Sequence, residues 1–551
     1  MKPRIEARVS ARDTQFDVCV IGGGATGGGC ALDAQLRGLR TVLIEATDFA
    51  SGASSASTKL VHGGVRYLEQ AVKTLNLEEF RMVKNALRER RFMLCNASYL
   101  TRAAHFLIPV YSWVKAGYYL IGMKVYDAVA GEGHLFPSGF LPREQTLKRM
   151  PGLKPDGLCG AVFYSDGQFD DARYNLALVE TFCEAGGVAL NHARITGFSF
   201  DAKGKLNGAI VRDEVTGDDF SVNAKRFVNA TGTGADKVRA LANPALRGRM
   251  RPSKGVHLLF PAELFPGEDA LLVPRTEDGR VIFALPWQSR LLVGTTDDEM
   301  TNRMRMMVEK EEADYLLRQL NPYLKNPLRL DEALSGMSGL RPLVAHGQGN
   351  TSKLIRDHEV EVDKSSGLIS ILGGKWTTYR LMAEDTINQV QREIGVPPMP
   401  SATRRHPLAG SAGFDDRFSN RMEKEYSLAA EVAGHLSRKY GGRALQILEL
   451  LAENPSWRER VAPDLPVIQA EVVFCIRKEM AETIEDLLAR RTGAELYDWK
   501  QSLLAAPIVA DLLAKEKNWD AAKTSAVVAE YSAKINGYLR ELALDNGSGQ
   551  G

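Results

Sequence analysis

Gly22, Gly24 and Gly27 stand at the spacing G-x-G-x-x-G, and Glu45 follows beyond a helical pattern. Residues of these types at this spacing bind a dinucleotide. The first glycine permits a tight turn, the second admits backbone close to a pyrophosphate, and the third lets a helix pack against a strand. Peptide N–H groups at the helix start then face the phosphates, and the Glu45 carboxylate accepts hydrogen bonds from a ribose. Gly23, Ala25 and Thr26 complete the turn. Downstream, residues 51–58 are small or hydroxylated, and Ser54, Ser55 and Thr58 suit a backbone lying against a flat ring or a pyrophosphate. A flexible linker has the same composition. This run leads directly into His62, Arg66 and Tyr67, a basic and aromatic cluster.

These groups need a strand, a turn, a helix and a second strand to hold them. Phe16, Val18, Val20 and Ile21 read as the first strand, Ala31 to Leu36 as the helix, and residues 40–45 as the second strand. Two more strand-to-glycine junctions follow, at 226–234 with Gly232 and at 368–380 with Gly374 and Lys375. A cofactor unit is therefore assembled from separate segments, with other units inserted between them. Segments 256–260, 280–285 and 291–296 read as strands of an antiparallel sheet that covers the ring end of the cofactor. Leu77, Phe80, Val83, Leu87 and Met93 fit an amphipathic helix. After the loop 395–400, Val472, Ile476, Met480, Ile484 and Leu488 recur every fourth residue, as one apolar helix face.

A chain of 551 residues exceeds one domain core, so two or three domains are expected. Hydrophobic residues at 44% and charged residues at 25% are ordinary for a soluble globular protein. A net charge of +2 supplies no global field for nucleic acid. The six cysteines form no C-x-x-C pair and read as buried thiols of a reducing compartment. The first twelve residues carry Lys2, Arg4, Arg8 and Arg12 without an apolar core, which is not a secretory signal.

Longer motifs make the resemblance specific. IGGGATGGGC (21–30), LDAQLRGL (32–39), SSASTKLVHGGVRYLE (54–69), YSDGQFDDARY (164–174), SKGVHLLF (253–260), GTTD (294–297), SGLRPL (338–343) and GGKWTTYR (373–380) occur in order. With these motifs the chain resembles the FAD-dependent, respiratory glycerol-3-phosphate dehydrogenases, within the glycine-oxidase-like flavoproteins. EVVFCIRKEMAETIEDLLARR (471–491) resembles that family's helical C-terminal domain, although Gly493 stands where the family commonly has a basic residue.

The resemblance implies an α/β fold. A discontinuous Rossmann-like FAD-binding domain takes 1–100, 155–240 and 335–395; an inserted antiparallel-sheet substrate domain takes 101–154 and 241–334; an all-helical domain takes 405–545. It implies hydride transfer from C2 of sn-glycerol 3-phosphate to FAD, giving dihydroxyacetone phosphate, with electrons passed to a membrane quinone. Arg66, Tyr67, His257, Arg341 and Lys375 are carried over by motif match as substrate residues. Arg66, Arg341 and Lys375 hold phosphate or hydroxyls, since arginine offers a planar fork and lysine a point charge. His257 orients the C2 hydroxyl or accepts its proton, because imidazole titrates near neutral pH, and Lys254 is the neighbouring cation expected to keep it neutral. The alternative for His257 is a core histidine with a satisfied hydrogen bond. The resemblance is also compatible with a homodimer and with a cytoplasmic protein held peripherally on the inner face of the cytoplasmic membrane. Two alternatives remain open: an oxidase that returns electrons to oxygen, and a flavoprotein that only binds.

Three stretches receive plainer readings. Asp166, Asp170 and Asp171 lack a nearby His or Cys at ligand spacing and read as hydrogen-bonding loop acids, not a metal site. Ser54 and Ser55 lack a G-x-S-x-G elbow, so cofactor contact is preferred over nucleophilic catalysis. Residues 103–126 form the most apolar and aromatic stretch, but Pro109, Lys115 and Lys124 interrupt it well short of a membrane span. An interfacial role and a core helix are both open for it.

Overall fold

The computed structural model describes residues 1–65, 68, 74, 76–301, 304–345 and 358–544. Strand Gln15–Ile21 is buried almost without interruption from Phe16 onward, as a strand covered on both faces requires. It pairs in parallel with Thr41–Ile44 on one side and with Asp219–Asn229 on the other. The full order of this sheet is His358–Val362, Ile369–Gly373, Asp219–Asn229, Gln15–Ile21, Thr41–Ile44 and Val188–Leu190. Ile369–Gly373 joins in parallel at Val228↔Ile369, and the strands Ala193–Phe200 and Leu206–Asp213 extend the Asp219–Asn229 side. Helix Ala25–Leu36 packs against Asp171–Glu184 and Tyr379–Ile394, so two distant segments flank it. Helix Arg4–Asp13 is locked to the sheet by Arg4, which is buried against Asp213 at 2.9 Å and the Asn191 carbonyl.

A second, ten-stranded sheet is mixed. Its pairs are antiparallel except Ala270–Val273 with Thr101–Val110. Strands Ser253–Pro261, Ile282–Trp287 and Arg290–Gly294 match the expected segments closely. The sheet also takes in Leu60–Val61, Gly160–Phe169 and Ser335–Arg341, which the expected division gives to the cofactor unit. The reason is register: Thr101–Val110 pairs with Gly160–Phe169 along its whole length, and Ser335–Arg341 pairs with Ser253–Pro261 in the same way. The apolar stretch 103–126 thus divides into this strand and a helix, Trp113–Ala130. Helix Leu77–Asn96 lies where periodicity puts it, and the Asn76 side chain caps it by accepting from Glu78 and Glu79 N–H.

Beyond residue 405 the described chain is helical, with long helices Trp499–Lys517 and Ala521–Glu541. The expected single apolar face from Val472 to Leu488 is broken. Helix Gln469–Lys478 ends at Glu479, Met480 turns left-handed at φ 52°, and a π turn follows at Asp486–Arg491. Buried ion pairs force the break. Arg173 grips the Glu479 carboxylate at 2.7 and 2.9 Å. Arg491 donates to the Glu479 carbonyl at 2.8 Å and spans the Asp48 carboxylate at 2.6 and 2.9 Å. Arg490 adds a third contact to Asp48 at 2.6 Å. Among the cysteines, Cys19, Cys30 and Cys475 are buried as read, whereas Cys95 is exposed.

Candidate active site

Gly22 has φ +107°, and a Cβ there would meet the Ala230 carbonyl oxygen at 2.7 Å. A Cβ on Gly27 would fall 1.7 Å from the Gly22 oxygen. Only glycine closes this turn between the two central strands. Gly24 at the N-cap of helix Ala25–Leu36 carries no side chain, so beyond the Ala25 N–H the helix start is suited to an anion. Ser54 Oγ accepts from Ala25 N–H at 2.9 Å, and Trp376 Nε1 donates to the Ser54 carbonyl at 3.0 Å. The first and third glycine motifs therefore meet at Ser54. Gly232 and Gly374 are both left-handed, at φ +56° and +89°. Glu45 stands just past strand Thr41–Ile44 and accepts from Gly23 N–H at 2.6 Å and Thr47 N–H at 2.8 Å. Its carboxylate props the turn through these two bonds. Asn175 supports the same turn by donating to the Gly23 carbonyl at 2.8 Å, a contact across 152 positions that no local pattern reveals.

Four residues beyond Ser54, Thr58 Oγ1 lies 3.0 Å from Nε2 of His257. His257 projects from the middle of Ser253–Pro261 and is 2% exposed. A Cβ on the facing Gly294 would lie 2.0 Å from the imidazole, so glycine makes room for the ring. Nδ1 is buried without a hydrogen-bond partner. Burial holds His257 well below its ordinary pKa, with the Arg341 and Lys59 charges adding to the effect. The imidazole is neutral near pH 7. The cation expected to do this, Lys254, does not. Three positions away on a strand it points to the opposite face, where it pairs with Glu312 at 2.8 Å and Glu309 at 3.3 Å.

Arg341 ends the strand beside His257. It donates to Asp297 at 3.1 Å, Thr295 Oγ1 at 3.1 Å and the Thr296 carbonyl at 2.9 Å, with a quarter of the side chain exposed. The GTTD motif is thus the cradle that aims the guanidinium. Lys375 precedes the turn Trp376–Thr378, with Nζ 3.8 Å from Met82 Sδ, and Thr377 Oγ1 accepts from His62 N–H at 3.2 Å. Arg66 and Tyr67 lie outside the described residues. Ser55 contributes its carbonyl, which accepts from Lys59 Nζ at 2.6 Å. Each of the three acids in 164–174 ends on a different buried cation: Asp166 on Arg90, Asp170 on Lys439 and Asp171 on Lys59. They sit on a strand and at a helix start, not in a loop.

The glycine turn, a helix start with glycine at its N-cap and the Ser54 contact together fit a dinucleotide cofactor, and segment 54–58 runs from that helix start to His257. The model for FAD dependent oxidoreductases matches residues 17–380, and that for the C-terminal domain of alpha-glycerophosphate oxidase matches residues 401–524. The chain is 40% identical over 522 residues to the mitochondrial glycerol-3-phosphate dehydrogenase of Bos taurus, covering 93% of this chain and 72% of that one. Identity to the Homo sapiens protein of the same name is 40% over 519 residues, covering 92% and 71%. The solved structure of glycerol-3-phosphate dehydrogenase from Bacillus halodurans, complexed with FAD, superposes with a TM-score of 0.77 at 28% identity over 99% of each chain. Dithionite-reduced L-alpha-glycerophosphate oxidase from Mycoplasma pneumoniae shares the fold, with a TM-score of 0.54 at 16% identity over 72% of this chain and 99% of that one. On the family match and the 40% identity over most of its length, this chain belongs to the FAD-dependent glycerol-3-phosphate dehydrogenase family.

Proposed function

We propose that this chain oxidises sn-glycerol 3-phosphate to dihydroxyacetone phosphate. The observation that carries the reading is segment 54–58, which joins the start of the dinucleotide helix to a buried neutral histidine. When bound at the glycine turn, FAD would supply the two-electron acceptor for the C2 hydride, with a quinone as the onward electron acceptor. His257, buried and neutral with Nε2 3.0 Å from Thr58 Oγ1, orients the C2 hydroxyl or takes its proton. Arg341, with Lys375 and Arg66, holds the phosphate and remaining hydroxyls by charge-assisted hydrogen bonds. Membrane quinone access is supported by helix Trp113–Ala130. One face packs through Ala116, Met123 and Tyr126, while Trp113, Val114, Tyr118 and Ile121 are exposed on the other. Among the described residues no helix is long and apolar enough to cross a membrane, so peripheral contact on the inner face of the cytoplasmic membrane is the form proposed. The domain division proposed keeps the helical unit from 405 onward and moves 160–169 and 335–341 to the substrate unit.

Anaerobic mixing with a panel of polyol phosphates tests the reading. Denaturation should release FAD, and glycerol 3-phosphate should bleach the bound flavin. Recovery of nicotinamide alone, or a yellow protein that no polyol phosphate bleaches, rejects it. The match of residues 401–524 to an oxidase domain favours oxygen as a second reading for the acceptor. Comparing turnover on a quinone analogue with peroxide yield decides between them.

Arg341→Ala should retain FAD and lose at least about tenfold in kcat/KM for glycerol 3-phosphate, the equivalent of about 1.4 kcal/mol or more. Glycerol, which lacks the phosphate, should be a poor substrate for the parent and change little in the variant. Parental efficiency with glycerol 3-phosphate would remove Arg341 from the phosphate site.

A further inference from the structure

Two lysines and two aspartates lie buried together behind the Thr58–His257 pair. Lys59 is 2% exposed, Asp171 0%, Asp170 5% and Lys439 2%. Lys59 pairs with Asp171, and Lys439 pairs with Asp170 at 2.9 Å. The aspartates are sequence neighbours, so the two ion pairs form one array of zero net charge. Aromatic rings continue it. Lys59 Nζ lies 5.5 Å from the Trp287 ring centre, Lys439 Nζ lies 5.5 Å from that of Tyr497, and the two rings are 6.0 Å apart. Gln288 closes the figure, donating to Asp170 at 2.9 Å and accepting from the Tyr497 hydroxyl.

The array bears on the site in two ways. Asp171 accepts from both the N–H and the hydroxyl of Ser57, at 3.0 and 2.7 Å, while Lys59 adopts φ +61°, a conformation non-glycine residues seldom take. Thr58 is held between these two anchored neighbours, and its hydroxyl meets His257. Lys59 also brings a positive charge to the imidazole. The other charge facing that ring is Arg341, itself paired with Asp297. Part of the array comes from elsewhere: Lys439 and Tyr497 belong to the C-terminal helical part, and Gly493, left-handed at φ +75°, lies where a Cβ would come to 3.0 Å from Lys439 Nζ.

We infer that Lys59, Asp171, Asp170 and Lys439 are positioning residues for the oxidation, and that Lys439 is the C-terminal helical domain's contribution to it. The inference rests on the reading of His257 as the residue at C2. Charge-neutral double variants test it, because removing a whole buried pair avoids stranding one charge. Lys59→Met/Asp171→Asn should retain FAD and slow anaerobic flavin reduction by glycerol 3-phosphate at least about tenfold. The acidic limb of its pH profile should move upward, because Lys59, a cation that favours neutral imidazole, is gone. Lys439→Met/Asp170→Asn keeps a competent helix cap, since asparagine caps as well as aspartate does. It should slow reduction about threefold or more with FAD retained. Lys439→Arg, which keeps the charge, should restore most of that rate. If the parent is not bleached at all, the reading of the reaction falls and the inference with it. If the parent is bleached and either double variant keeps its rate, or the first keeps the parental pH limb, the inference alone falls. Loss of FAD from both variants also overturns it, since the array would then serve the fold.

Discussion

His257→Asn is expected to slow anaerobic flavin reduction by roughly 10²–10⁴-fold while FAD content stays near normal, the usual span for one acid–base group. Asparagine fills similar space and can still meet Thr58, so the loss isolates the titrating nitrogen. The pH dependence adds a second signature. The protonated imidazole is the inactive form for proton acceptance, so the parental rate falls as pH drops through the His257 pKa. Burial, Arg341 and Lys59 hold that pKa well below 6.5. The parental rate should therefore be flat with respect to His257 above pH 6.5, with its acidic limb lower, and the variant should lack that limb. A small rate loss with the parental profile intact would reject the base assignment and leave His257 a positioning role. His62→Asn would then be the variant to measure.

Arg491→Leu should destabilise the protein by about 3–5 kcal/mol, the cost of stranding one partner of a buried ion pair. Arg491 is fully buried and covers both oxygens of Asp48, so its loss leaves that carboxylate with Arg490 and Asn191 alone. The apparent melting temperature should fall, and limited proteolysis should release the segment after residue 405 first. Arg12→Ala, at an exposed pair with Asp13, should leave both readouts unchanged. An Arg491→Leu protein that melts with the parent would show that the junction does not depend on this pair. The same junction has a defined acid response. Burial pushes the Glu479 carboxyl up, but Arg173 and Arg443 outweigh it and hold it at about 2. Its stabilising share is complete above the ordinary value of 4.5 and is lost as pH falls from there toward 2.

Local patterns are legible in the sequence and distant partnerships are not. The glycine turn, its flanking strands and the helix Leu77–Asn96 follow from spacing within a few residues. Motif identity picks out His257 and Arg341, which the fold brings together on neighbouring strands. Lys254 misleads because proximity in sequence hides strand alternation, which sends residues three apart to opposite faces. Lys59 escapes notice because its partner Asp171 lies 112 positions away and its left-handed backbone carries no glycine signal. The apolar repeat 472–488 looks like one helix because burial on all sides mimics one stripe, and only Arg173 and Arg491 reveal why it breaks at Glu479.

The order of strands in the first sheet has a consequence for how the chain is made. Gln15–Ile21 leaves the ribosome well before Ile369–Gly373, yet the sheet is completed only when that later strand docks beside Asp219–Asn229. At roughly 5–20 residues per second, the interval between Ile21 and Ile369 is about 20–70 s. Until then Val228 and Asn229 present an unpaired edge, a template for pairing with other nascent chains. Gly374 and Lys375 arrive at the same late moment. A polypeptide stalled before residue 368 therefore carries the glycine turn but lacks the strand Ile369–Gly373, and exposes an open edge that chaperones and proteases can engage.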